Sequence, residues 1–370
     1  MPKAAVGLRA DHVGSLLRPK RLIERRYPPG GEHDPAALRA LEDQCIREVV
    51  ALQEEVGLEI ITDGEYRRSS WRSGFSGHID GLVDRAAQAE VNKRGFADMG
   101  SFIMDAAPFT EGKLKRVSGI ATEEFRFLRS LTSRVAKVTL PAPSFMHFFG
   151  GKDAVNRSAY PDLDSFYADL TNVYIEEIAE LAILGATYVQ LDDAALGFLC
   201  DVGIRGRMAT AGINADDMAD LYVDLLNTVI AAAPKQVMLA VHICRGNSMG
   251  KAGGAGSFEP IAKRVFNRLI ARRLLLEFDE PHNGDLSPLR HVPDDKTVVL
   301  GLISTKSPVL ESAEWLKTRV QEAASYIPLE RLCISPQCGF ASRDKGTSLT
   351  QDDELAKLRL LVQVTQSIWR

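Results

Sequence analysis

The sequence predicts a (β/α)8 TIM barrel, an α/β fold, with an insertion after its second strand. Three observations carry that expectation. Short apolar runs alternate with longer amphipathic stretches along all 370 residues. Eight of the runs have the length of strands, and nearly all of them end in titratable or metal-binding side chains. Strands that alternate with helices read as parallel βαβ units, and eight of them suit a closed barrel better than an open sheet. The chain, 1–370, reads as one barrel domain.

The candidate strands are Gly7–Val13, Leu58–Thr62, Val135–Leu140, Thr187–Leu191, Gln236–Val241, Leu274–Phe278, Thr297–Leu302 and Leu332–Ser335. Helical spacing of apolar residues lies between most of them. Pro35–Val56 places Leu38, Leu41, Cys45, Val49 and Leu52 on one stripe. Asp164–Leu184 does the same with Phe166, Leu170, Val173, Ile178 and Leu181. Met218–Ala232, Phe258–Arg272, Ala313–Tyr326 and Asp353–Trp369 complete the series. Trp71–Leu128 departs from the alternation and is too long for a plain βα connection. With its polar stretch Asp84–Arg94 it reads either as a hairpin and helix near the barrel mouth or as a solvated insertion.

Composition excludes several classes. A formal charge of −4 leaves no basic footprint for nucleic acid. No apolar run nears the ~18 residues of a membrane span, and the N-terminus lacks a signal-peptide apolar region. Five cysteines, odd in number and scattered, are no disulfide framework. The expectation is a cytoplasmic enzyme acting on small molecules, with a homo-oligomer left open.

The working face of a barrel lies where its strands end. Those ends carry Asp11-His12-Val13-Gly14-Ser15, Thr62-Asp63-Gly64-Glu65, Asp192-Asp193, His242-Ile243-Cys244, Glu277 with Asp279 and Glu280, Ser304 with Lys306, and Pro336-Gln337-Cys338-Gly339. Residues two apart on a strand point the same way, so His242 and Cys244 converge. With Cys338 and a replaceable carboxylate, Glu277, they form a plausible tetrahedral zinc set, and two thiolates favour zinc over harder cations. Zinc would hold a substrate thiol as thiolate, whereas a free thiol with a pKa near ~8.5 is mostly protonated at neutral pH. A zinc hydroxide for hydrolysis is the competing use. Cys45, Cys200 and Cys333 read as buried core thiols.

DHVGSLLRP, ITDGEYRRSSW, VQLDD, HIC, LLLEFDE, GLISTKSP and SPQCGF follow one another along the chain. In that order they resemble the catalytic domain of cobalamin-independent methionine synthase, in its short single-barrel form. The resemblance implies methyl transfer to a zinc-bound thiol, typically homocysteine, from a methylated folate. It makes His242, Cys244, Glu277 and Cys338 the zinc ligands, with Glu280 a poorer substitute for Glu277. It gives the amino-acid substrate to Gly14-Ser15, Glu65 and Asp192, the two carboxylates facing its ammonium. Asp192-Asp193 could instead cap a helix.

Two departures stand out. Lys306 occupies the place of a histidine that moves a proton in the full-length synthases, where a lysine can donate a proton or anchor an anion. Phe148 takes the place of a tryptophan that stacks the pterin, with His147 beside it. The half-barrel that helps hold folate is absent, so a corrinoid-carrying protein stands as another donor. The chain is also similar in size and motif to epoxyalkane:coenzyme M transferases, which open an epoxide with a zinc-activated thiol. Arg18, Arg67, Arg68 and Arg72 would suit an anionic thiol of that kind, or lie on a solvated face. A closed structural zinc site is the non-enzymatic alternative.

Overall fold

The computed structural model describes residues 6–31, 33–86, 106–151, 154–247, 252–344 and 348–369. Its centre is a curled parallel sheet of seven strands: β1 (Ile60–Ile61), β4 (Val135–Pro141), β5 (Tyr188–Asp193), β6 (Met238–Ile243), β7 (Arg273–Glu277), β8 (Thr297–Ile303) and β9 (Leu332–Pro336). Each pairs with the next in that order. β2 (Ile79–Ala86) and β3 (Ala106–Arg116) form a separate antiparallel ribbon.

The expected first strand is the main correction. Val6–Arg9 form a 3-10 turn, and only Ala10 bridges, in parallel, to Ile334 of β9. Asp11 N then donates to Ile334 O (3.0 Å), while the His12 ring nitrogen Nε2 lies 3.2 Å from Ile60 O on β1. Residues 10–12 thus touch both edge strands and take the eighth position of the barrel. Side chains explain why this segment makes no full strand. Arg273 Nη2 takes Leu8 O (3.0 Å), and Lys137 Nζ takes His12 O, so carbonyls that a ladder would use are already occupied.

Period-2 alternation then fills the interior. Val13, Ile60, Tyr188, Ala240, Leu275, Val299 and Cys333 form one apolar layer. Beside it the Asp11 carboxylate accepts from Lys137 Nζ (2.8 Å), Arg273 Nε (3.1 Å) and Tyr188 OH (2.7 Å). Burial alone would raise this carboxyl, but Lys137 and Arg273 outweigh it and hold it well below its ordinary range.

The outer helices follow the sequence spacing closely. Pro35–Val56 begins at an Asp34 cap, whose carboxylate accepts from Ala37 N (3.0 Å), and ends at Gly57 with φ 96°. The helix expected from Met218 begins at Ala215 under an Asn214 cap, and the one expected over Phe258–Arg272 spans Glu259–Arg268. Within the excursion, Gly81 sits at φ 78° where a Cβ would lie 2.3 Å from Lys113 O, at a register shift of the ribbon. Arg116 of β3 pairs with the fully buried Glu177, anchoring the ribbon to helix Leu163–Ile183. The next helix, Thr122–Leu131, precedes β4 and is a barrel helix. Residues 87–94 of the polar stretch lie outside the described residues. Among the described residues no helix is long and apolar enough to cross a membrane.

Asp11→Asn should cost about 3–5 kcal/mol, because it leaves Lys137 and Arg273 buried beside a neutral amide; urea unfolding measures this. Since the folded pKa lies below the ordinary 3.8, the carboxylate's stabilisation is complete above that value and lost as pH falls further. The wild type should therefore show a steeper acid-induced fall in stability than the variant.

Candidate active site

The carboxyl ends of the strands open into a cavity of about 780 Å³, counting its open mouth. His242, Cys244 and Cys338 line it, with ligand atoms all within 4.8 Å of one another. His242 is the fifth residue of β6, and Cys244 follows the strand's end two residues on, so alternation turns both inward. Cys338 comes from the loop after β9. All three are buried; neither ring nitrogen of His242 meets a nitrogen or oxygen partner, and the ring faces the Cys338 sulfur. A ring nitrogen left without a partner costs ~1–3 kcal/mol, and a bound metal would satisfy it. Cys244 hydrogen-bonds the Cys338 sulfur and holds it well below an ordinary thiol, while Cys244 itself is pushed up. Burial lowers His242, but the Cys338 sulfur outweighs it and the imidazole is raised.

Residues 30–367 match the catalytic domain of the cobalamin-independent synthase family. The chain belongs to the cobalamin-independent methionine synthase family. It is 33% identical over 365 residues to the uncharacterized Bacillus subtilis protein YxjH, covering 98% of this chain and 95% of that one. A methionine synthase of Pyrococcus horikoshii is 23% identical over 359 residues, 95% of this chain and 91% of the relative. A crystal structure from Listeria monocytogenes, a candidate vitamin-B12-independent methionine synthase, superposes with a TM-score of 0.75. That structure is 29% identical and covers 98% of both chains. Membership makes the protein a methyltransferase.

The carboxylates that the family resemblance assigned to a substrate ammonium meet in the same cavity. Asp192 is the fifth residue of β5 and lies opposite His242 in the β5–β6 register. Burial raises its pKa to about 7 against the pull of His242. Asp193 takes the capping role instead: it accepts from Leu196 N (2.8 Å) and Ser144 Oγ (2.7 Å). Glu65 carries φ 59°, the sole non-glycine in the left-handed region among the described residues. Such backbone costs about 1–3 kcal/mol and persists where the surroundings enforce it. Here Asp63 Oδ1 holds Glu65 N (2.8 Å), and Thr139 Oγ1 donates to Glu65 Oε1 (2.8 Å). Burial raises the Glu65 carboxyl, with Arg68 and Arg18 pulling against it. Ser15 also lines the cavity. Gly14 packs behind Glu65: at φ 147°, a Cβ would meet Thr139 Cγ2 at 2.7 Å.

Glu277 stands apart from the metal-type trio. Its Oε1 accepts from Lys306 Nζ (2.9 Å) and its Oε2 from Arg245 N (2.8 Å). Lys306 also lies 3.3 Å from Asp279 and 3.6 Å from Glu280. Burial would lower its pKa, but these carboxylates outweigh it and raise the lysine above its ordinary 10.5. Lys306 is thus a buried cation held among three carboxylates, and it does not line the cavity. Arg245, fully buried and stacked 4.2 Å from the Phe258 ring centroid, is a member of this cluster that sequence reasoning missed.

Phe148 is likewise placed elsewhere. It is buried against Phe198, with the rings stacked 6.0 Å apart. On helix Pro143–Gly150 the cavity face belongs to Phe145 and Phe149, one turn apart. Trp71 meets Phe145 edge-on at 5.1 Å, and Arg72 and Arg343 join them at the rim. His147 lies 3.2 Å from Tyr222 OH, and burial lowers it to about 4. Arg18, Arg67 and Arg68 are buried in pairs with Asp344, Asp43 and Glu124, so only Arg72 of the four arginines reaches the cavity. Cys45, Cys200 and Cys333 are buried outside the trio.

Phe148→Ala should lower stability by about 3–5 kcal/mol as a core truncation. Phe149→Ala, at the cavity wall, should weaken binding of a stacking ligand beyond its effect on stability. Thermal unfolding and ligand titration of both variants separate the two positions.

Proposed function

We propose that this chain transfers a methyl group to the sulfur of an amino-acid thiol, homocysteine being the simplest, at a zinc ion. The observation that carries this is the buried His242–Cys244–Cys338 trio, in one cavity with Glu65 and Asp192. An imidazole and two sulfurs within reach of one centre are a zinc donor set. Zinc held there would keep an incoming thiol as its nucleophilic thiolate at neutral pH.

The chain's own residues supply the rest. Glu65 and Asp192 present two buried carboxylates to a substrate ammonium, a charge-assisted contact strengthened by low local dielectric. The same pair repels a sulfonate, which favours homocysteine over coenzyme M and methyl transfer over epoxide opening. Trp71, Phe145 and Phe149 offer flat faces to a methyl donor and exclude water from the cavity. Glu277 is available as a fourth ligand, and Lys306 with Arg245 neutralises it whenever it is not bound to the metal. In the transfer the new S–CH3 bond forms as the donor's bond to that methyl breaks, its electron pair staying on the donor. A methylated corrinoid protein fits that balance directly, and a methylated folate fits it when its departing nitrogen takes up one proton, matching the one the thiol gives up in becoming a thiolate.

Protein purified with zinc should carry about one ion per chain. A panel of homocysteine and coenzyme M against methylated folate and methyl-corrinoid donors, read by product mass, should yield S-methylated homocysteine. Cys338→Ser and His242→Ala should lose metal and turnover while circular dichroism stays that of the wild type. Turnover by a metal-free variant, or no methylated thiol from any donor, would overturn the proposal.

A further inference from the structure

We infer that Gln190 is a positioning residue for the amino-acid thiol, aiming Asp192 at the ammonium from inside the barrel. This rests on the proposed role of Asp192 as ammonium partner. Tyr188, Gln190 and Asp192 alternate along β5, so all three face the interior, with Gln190 one layer beneath Asp192. Gln190 is completely buried.

The orientation of its amide is decided by its neighbours. Lys137 Nζ stands 3.0 Å from Oε1, and an ammonium only donates, so the oxygen must face the lysine. The NH2 group is thereby turned to the other side, where it finds two acceptors. It donates to Val13 O (2.7 Å) and to Asp192 Oδ1 (2.7 Å). Both amide hydrogens are spent on the cavity floor. One holds the backbone at Val13, two residues before Ser15, and Val13 and Ser15 both line the cavity. The other fixes one oxygen of Asp192 and leaves Oδ2 for the ligand.

Lys137 cannot drift, because Asp11 Oδ1 (2.8 Å) and His12 O also accept from it. Asp11 is in turn held by Arg273 and Tyr188. Gln190 is thus a rigid link between a buried ion cluster and two parts of the substrate grip. Glutamate at this position would keep the lysine contact and, ionised, give up both donors. Methionine would fill much the same space and give up everything.

The test uses zinc-loaded wild type, Gln190→Met and Gln190→Glu, titrated by calorimetry with homocysteine and with 4-mercaptobutyrate, which lacks the amino group. Wild type should prefer homocysteine. Both variants should bind homocysteine about tenfold more weakly, a change of ~1.4 kcal/mol, with a clearly smaller loss for 4-mercaptobutyrate, which shares only the Val13–Ser15 contact, and zinc content unchanged. If Gln190→Met fails to fold, Gln190→Glu, which retains the Lys137 contact, carries the measurement. Variants that weaken both thiols equally, or neither, overturn the role of Gln190 while wild-type preference leaves the ammonium site standing. A wild type that binds both thiols alike overturns the ammonium site and this inference with it.

Discussion

The site depends above all on the register between β5 and β6. Asp192 stands opposite His242 because Tyr188 stands opposite Met238, four residues earlier on the same pair of strands. Shifting one strand by a single residue would turn His242 and Cys244 out of the barrel, since successive side chains face opposite sides. The apolar layer of Val13, Ile60, Tyr188, Ala240, Leu275, Val299 and Cys333 fixes that register from below. Its side chains come from every strand of the sheet except β4, and from the N-terminal segment. None of the six strands that contribute to it can slip by one residue without turning its own member out of the layer.

Around that layer the barrel also holds charge, and buried charge is stable only when it is compensated. Two clusters supply the compensation, and both draw on β7, through Arg273 and Glu277. Asp11 with Lys137 and Arg273 supports the wall that carries Asp192 and the Val13–Ser15 turn. Glu277 with Lys306 and Arg245 supports the wall beside Cys244 and Cys338. The N-terminal segment shows how closely closure and chemistry are coupled. The residues that bridge the two edge strands are followed directly by Val13, Gly14 and Ser15, so the barrel closes through part of its own cavity wall.

Much of this was legible in the sequence, for reasons visible in particular residues. His242 and Cys244 are two apart at a strand end, and period-2 alternation alone makes them converge. Asp192, Glu65 and Cys338 also follow apolar runs, where a barrel gathers its working side chains. What was not legible depends on contacts between distant segments. Lys306 reads as a proton donor or an anchor for an anion, and the carboxylates of Glu277, Asp279 and Glu280 that surround it give no sign of themselves in sequence. Phe148 and Phe149 are neighbours in sequence, and only the rotation of helix Pro143–Gly150 against Phe198 decides which one meets the cavity. The first strand was over-read for a related reason. Its apolar pattern is that of a strand, but Arg273 and Lys137 take carbonyls that the ladder would need. Trp71 and Arg72 carried no signal beyond their place at the start of an irregular segment. They reach the rim because Trp71 N bonds Ser342 O (2.9 Å), across more than two-thirds of the chain.

The cavity is chemically two-sided, and that polarity constrains how two substrates can meet in it. Its floor is acidic and sulfur-rich, with Glu65, Asp192, Cys244 and Cys338; its rim is aromatic and cationic, with Trp71, Phe145, Phe149, Arg72 and Arg343. On the proposed function, an amino-acid thiol with its ammonium on the floor is held there by opposite charge. A flat donor would find ring faces in Trp71, Phe145 and Phe149, with the arginines suited to any acidic group it carries. Lys306 fits this division of labour better than the histidine it replaces would suggest. Fixed as a cation among three carboxylates, it keeps the charge of Glu277 compensated beneath the floor, so that the carboxylates facing the substrate are Glu65 and Asp192.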